Sequence, residues 1–130
     1  MIVDSSAIIA ILRDEPDAPE LAEVLQKAPI RRMSAVTYVE SGVVADSNRN
    51  PVLSRRLDNI LRDVGIQIES VTVKQAEIAR QAYRDFGKGR HKAGLNFGDC
   101  FSYALAKEMD EPLLFKGTDF LHTDVEIAKT

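Results

Sequence analysis

Short strand-like runs alternate with capped helices along this sequence, and that alternation leaves few ways for the chain to fold. Residues 2–3, 31–33, 66–69 and 112–116 each read as a strand, with 125–127 as a last edge strand. Helical patterns fill the intervals between them. Such an order predicts an α/β domain built on a short, mostly parallel sheet flanked by helices. At 130 residues the chain suffices for one domain, 1–130, with a real core. No repeat, linker or low-complexity segment interrupts it.

The helix starts are marked by side chains that cap free N–H groups. A first helix begins near Ser5 or Ser6. Asp17 and Glu20 form a capping-box pattern around Pro19, ahead of Leu21, Val24 and Leu25. Ser34 caps a third helix holding Tyr38, Val39 and Val43, whose apolar side chains are expected to pack in the core, with a dimer or partner-protein interface as the alternative, and Glu40 falls inside it. Asn50-Pro51 opens a fourth, ended by Gly65, and Thr72 with Gln75 opens a fifth that turns Ala76, Ala79, Ala82, Tyr83 and Phe86 inward. The loop at 87–94 is basic and glycine-rich. It runs into Asn96, an N-cap, with Asp99 three residues on at N3 and Phe101, Ala104 and Leu105 as the apolar stripe beyond.

Bulk properties narrow the function classes. The net charge of -3 does not mark a nucleic-acid binder, although a local basic patch would serve. A single cysteine permits neither an intrachain disulfide nor a cysteine zinc cluster. No apolar run reaches the roughly 18 residues of a membrane span, and no signal peptide is evident, so a cytoplasmic protein without a membrane partner is expected.

The carboxylates carry the chemistry. In an open parallel sheet, sites form beyond the carboxyl ends of the strands. Asp4 follows the first strand, Asp119 follows the strand at 112–116, and Asp99 starts a helix of the kind that faces the same edge. Glu40, with apolar or small neighbours, is placed to join them. Each alone reads as a cap or surface charge. Together, at about 4 Å separations, each pair would repel by about 4 kcal/mol at an effective dielectric near 20. Protons or a divalent cation must offset that, and all-oxygen ligands suit Mg²⁺ or Mn²⁺ rather than zinc. A partly hydrated ion of this kind activates water against a phosphodiester.

Asp4-Ser5-Ser6, Glu40 in an early helix, Asn96-Phe97-Gly98-Asp99 at a helix start and Gly117-Thr118-Asp119-Phe120 after a late strand resemble the PIN domain over essentially the whole chain. The loop at 87–94 and the segment at 113–124 are similar in particular to VapC toxins of type II toxin–antitoxin systems. The resemblance implies a PIN-like fold and a metal-dependent endoribonuclease, often a homodimer, held in check by a VapB-like antitoxin. It implies an acidic cluster of Asp4, Glu40, Asp99 and Asp119, with Asp4, Asp99 and Asp119 on Mg²⁺ (or Mn²⁺) and Ser6 in support. Lys88, Arg90 and Lys92 are placed to contact the RNA backbone, and Lys116 to contact phosphate or pair with a site acid. Asp124 is expected to cap the final element, Cys100 to pack in the core, and His91 and His122 to stay out of catalysis.

Three other readings compete. A phosphoacceptor signalling domain needs an aspartate after a central strand, where residues 66–70 offer only Glu69. A catalytically silent binding module would not need all four acids. A PIN-type nuclease without a toxin role differs only in its partner chain.

Overall fold

The structure, a computed structural model, describes residues 1–47 and 49–129. Strands β1 (Ile2–Val3), β2 (Arg31–Ser34), β3 (Ile66–Glu69) and β4 (Leu113–Leu114) form one sheet in the order β3-β2-β1-β4. All three pairings are parallel. Parallel neighbours require crossovers, which α1 (Ser5–Leu12) and α2 (Ala18–Lys27), α3 (Ala35–Asp46) and α4 (Pro51–Val64), and α5 (Val73–Phe86) and α6 (Phe97–Met109) supply in turn. The chain builds outward from β1 to β3, then returns to lay β4 on the other side of β1. The topological switch therefore falls between β1 and β4, where a crevice is expected.

Period-two alternation divides the core. Val3, Met33 and Leu114 pack with Ile8 and Leu12 of α1, Leu25 of α2 and Leu57 of α4 on one face. Ile2 and Leu113, one residue earlier in β1 and β4, pack on the other face with Ala79 and Ala82 of α5 and Ala104 and Leu105 of α6. The central strand β1 and its neighbour β4 are buried on both faces, as in other parallel sheets, whereas the edge strand β3 is partly exposed.

Most helix starts form as the sequence predicts. Ser34, Asn50 and Thr72 each accept from a backbone N–H of the first turn. Gly65 ends α4 in the left-handed conformation, with φ 74°. Asp17 differs: its side chain makes no cap bond to α2, because its carboxylate turns to Lys116 instead. The strand predicted at 112–116 shortens to two residues, and 125–127 contributes one parallel bridge, Leu113 to Ile127, rather than a strand.

The largest departure concerns α3. Its buried line, at helical spacing, is Thr37, Ser41 and Ala45, and its apolar residues turn outward. Tyr38, Val39 and Val43 are 43%, 60% and 61% exposed, against the expectation of core packing. The buried hydroxyls take the inner positions because a polar group of α6 and the acidic crevice lie there. Tyr83 and Ala76 of α5, also expected inward, are exposed.

Leu105 is fully buried against the sheet. Leu105→Ala is expected to lower unfolding stability by roughly 2–5 kcal/mol, read as a shift in the urea midpoint at constant m-value.

Candidate active site

Asp4 is at once the residue that leaves β1 and the N-cap of α1. It is 1% exposed, and a buried carboxylate is costly unless donors satisfy it. Oδ2 accepts from the Ser6 N–H at 3.1 Å and the Ser6 hydroxyl at 2.7 Å. Oδ1 accepts from the Ser102 hydroxyl at 2.6 Å. A carboxylate has about four acceptor positions, so roughly one is left for a further ligand.

The donors are themselves fixed. The Ser6 hydroxyl accepts from the Lys116 backbone N–H at 3.0 Å, joining the start of α1 to the chain leaving β4. Ser102 lies on the buried face of α6, 3.1 Å from the Thr37 hydroxyl of α3. Because the Ser102 proton goes to Asp4, Thr37 is the donor to Ser102. Ser41 donates to the Thr37 carbonyl at 2.8 Å.

Glu40 accepts from the Ser5 hydroxyl at 2.8 Å. Its carboxylate rests against Gly98 of α6, where a Cβ would overlap it. Asp99 stands one residue on, in a reciprocal capping box. The Asn96 side chain accepts from the Asp99 N–H at 2.9 Å, and Asp99 Oδ2 accepts from the Asn96 N–H at 3.0 Å. Asp119 opens a 3-10 turn, Asp119–His122, beyond β4, and is exposed.

Electrostatics shows that the four acids share one field. Burial pushes the Asp99 carboxyl up to about 7, against the pull of the Asn96 N–H, and the charges of Asp4, Glu40 and Asp119 add to the rise. Burial also raises Glu40, the Ser5 hydroxyl partly offsets this, and the charge of Asp4 raises it further. Among the described residues, no three of these side chains stand close enough to form a ready-made ligand set. They sit within Coulombic reach of one another, with Asp99 still turned toward its cap.

Other expectations resolve differently. Lys116 pairs with Glu15 at 2.6 Å and Asp17 at 3.3 Å, neither of them a predicted site acid, which fastens the α1–α2 connection to the end of β4. Asp124 accepts from the Tyr103 hydroxyl at 2.6 Å and pairs with Lys107 at 3.2 Å, so it braces α6 rather than capping the final element. Cys100 is buried, and burial pushes its thiol up to about 11. His91 Nδ1 accepts from the Ala93 N–H and is spent on its loop. Lys88, Arg90 and Lys92 are exposed on that loop, which a bridge from Gly87 to Leu95 closes directly before Asn96.

The site contains residues that sequence reasoning missed, namely Ser102, Thr37, Ser5 and Gly98. Their signal was spacing: Ser102 lies one helical turn after Asp99, and Thr37 one turn before Glu40. Ser5 stood inside the Asp4-Ser5-Ser6 motif without a role.

Residues 1–126 match the model of the PIN domain. The chain belongs to the PIN-domain family. It is 58% identical over 129 residues to Ribonuclease VapC28 of Mycobacterium tuberculosis, covering 98% of this chain and 97% of that protein. It is 51% identical over 131 residues to Ribonuclease VapC42 of the same species, covering both chains completely. The structure of VapBC2 from Rickettsia felis, bound to a promoter DNA fragment, superposes with a TM-score of 0.77 at 13% identity, over 97% of this chain and 94% of that one. Within the family the chain therefore stands among the VapC ribonucleases.

Two outcomes follow for this PIN domain. Gly98→Ala displaces the movable end of the Glu40 side chain rather than backbone, so it is expected to leave the thermal transition nearly unchanged while reducing activity as Glu40→Gln does. The fold favours the protonated form of Asp99, whose unfolded value is 3.8 and folded value about 7. In EDTA, stability from this group is complete below the lower value and is lost as pH rises toward the upper one. Urea midpoints should fall across that window, and Asp99→Asn should flatten the fall.

Proposed function

We propose that the protein is a metal-dependent endoribonuclease that hydrolyses RNA phosphodiesters and acts as the toxin of a type II toxin–antitoxin pair. The observation that carries this reading is the convergence of four acids, remote in sequence, at the switch point between β1 and β4, with Asp99 pushed up to about 7. The high identity to proteins named as VapC ribonucleases supports the substrate class. Solved structures of similar fold include toxin–antitoxin complexes, which supports a VapB-like antitoxin as partner. The exposed apolar face of α3, with Tyr38, Val39 and Val43, supports a homodimer. Among the described residues, no helix is long and apolar enough to cross a membrane.

The donor set fits a divalent cation. It offers only carboxylate oxygens, it carries excess negative charge, and Asp4 keeps about one acceptor position open. Mg²⁺ retains several waters and takes one or two carboxylates directly, which suits acids that are near each other but not closed into a cage. Asp4, Asp99 and Asp119 would hold it, and Mn²⁺ has the same ligand preference. When bound, the ion would neutralise charge at the phosphate and make a coordinated water more acidic than bulk water.

The chain's own residues do the remaining work. Ser6 and Ser102 fix the orientation of Asp4, so no reorganisation is needed as charge develops. Glu40, raised by burial and by Asp4, is a stronger base than a free glutamate, and Ser5 holds one of its oxygens in place. It is suited to accept a proton from an attacking water. Lys88, Arg90 and Lys92 supply cations beside an otherwise acidic mouth, which offsets the repulsion of an RNA strand.

The test is cleavage of unstructured RNA by purified protein, with Mg²⁺ or Mn²⁺ and with EDTA. Metal-dependent cuts are expected, with Glu40→Gln slower by roughly 10²–10⁴-fold and Asp99→Asn inactive. Equal cleavage by wild type and Asp99→Asn would reject the site. Inhibition by a co-expressed antitoxin chain, with recovery on its removal, tests the toxin role.

A further inference from the structure

The carboxylate site leaves unused a groove between α5 and α6 with a volume of about 360 Å³. Ala79 and Tyr83 line it from α5, and Phe97, Cys100 and Phe101 from α6, with Arg80 at its edge. Phe97 is 73% exposed and Tyr83 42% exposed, so two aromatic faces remain open to solvent. Phe97 is held against Phe101, with ring centroids 5.0 Å apart at 58°. Arg90, from the basic loop, lies over the Tyr83 ring at 5.5 Å.

Two cations border this groove. Among the described residues, neither Arg80, which lines it, nor Arg90, which lies over the Tyr83 ring, makes an ion pair with a carboxylate. Of the α5 acids, Asp85 accepts from Gln81. The groove thus combines flat apolar faces with cations that have no carboxylate partner. It also reaches the acidic site, since Phe97, which lines the groove, lines a second cavity together with Glu40. Aromatic faces beside free cations are how proteins hold single-stranded nucleic acid, the bases stacking while the cations follow the backbone.

We propose that this groove receives an unpaired base of the RNA strand cut at the carboxylates, with Phe97 and Tyr83 as stacking faces and Arg80 and Arg90 on the adjoining phosphates. The inference rests on the ribonuclease reading and adds a substrate form to it. The strand must be single at this point, because a base in a duplex has no free face to offer.

The experiment is equilibrium binding of a short single-stranded oligouridine carrying one 2-aminopurine, followed by its fluorescence. The full chain is used in EDTA, with Asp99→Asn as the non-cleaving parent. Binding is expected to quench the fluorophore, and the same sequence in duplex form is expected not to compete. Phe97→Ala and Tyr83→Ala should each weaken binding by roughly 5- to 150-fold, and Phe97→Trp should restore it. Phe97→Leu keeps an apolar side chain without an aromatic face, and should behave as Phe97→Ala does. Thermal melts of all variants should match the parent, since both rings are exposed. Unchanged affinity in Phe97→Ala and Tyr83→Ala, or parental affinity in Phe97→Leu, overturns the proposal. A change confined to self-association or antitoxin binding also overturns it, by making the groove a protein contact. If wild type cleaves RNA while the variants bind normally, the groove assignment fails alone; if wild type neither binds nor cleaves RNA, the nuclease reading fails with it.

Discussion

A buried aspartate that three donors must satisfy holds this molecule's working parts in place. Asp4 leaves β1, caps α1, and is bonded through Ser6 to the chain beyond β4 and through Ser102 to α6. Each bond ties down an element that also carries another acid. The chain leaving β4 leads to Asp119, and the first turn of α6 carries Asp99. Through Thr37, the Ser102 hydroxyl reaches α3, which carries Glu40. Positioning the site and satisfying a buried charge are therefore one physical problem, and the same hydroxyls answer it. An apolar residue at 102 would leave Asp4 Oδ1 without its donor, a cost of about 1–3 kcal/mol or more for a charged acceptor.

The acids share a field but not an environment. Asp4 is buried and held by three donors, Asp99 is partly buried with a single backbone donor, Glu40 has one hydroxyl, and Asp119 is exposed. Crowded like charges become tolerable when protons or cations intervene. Burial accounts for most of the upward push on Asp99 and Glu40, and the neighbouring acids add to it. It also separates their chemistry, since a carboxyl raised by burial serves as a base while a hydrogen-bonded carboxylate stays fixed as an anchor.

Backbone-scale features were legible because local rules determine them. The Asn96–Asp99 capping box forms as its spacing implies, and so do the Ser34 and Asn50 caps and the Gly65 stop. The parallel sheet followed from strands alternating with helices. The convergence of Asp4, Asp99 and Asp119 followed from where such sheets place their crevice. What the sequence did not reveal depends on which way a helix turns. In α3 the residues alternate polar and apolar too densely for periodicity to choose a face, and the buried line Thr37-Ser41-Ala45 was decided by Ser102 across the gap. Likewise Asp17 prefers a cation over its local cap, because Lys116, remote in sequence, offers a stronger partner. Ser102 was hidden for the same reason: nothing local marks a hydroxyl whose acceptor lies near the other end of the chain.

The pairing of β1 with β4, Ile2 beside Leu113 and Val3 beside Leu114, has a temporal meaning. A ribosome extends a chain at about 5–20 residues per second, so several seconds separate the emergence of the second residue from that of its partner. During that interval Asp4 lacks Ser102, and neither Asp99 nor Asp119 has reached the crevice. A growing chain thus carries no assembled acidic site. Closure of β4 against β1 is the event that brings these acids to one crevice, so the proposed centre cannot assemble from either half of the sequence alone.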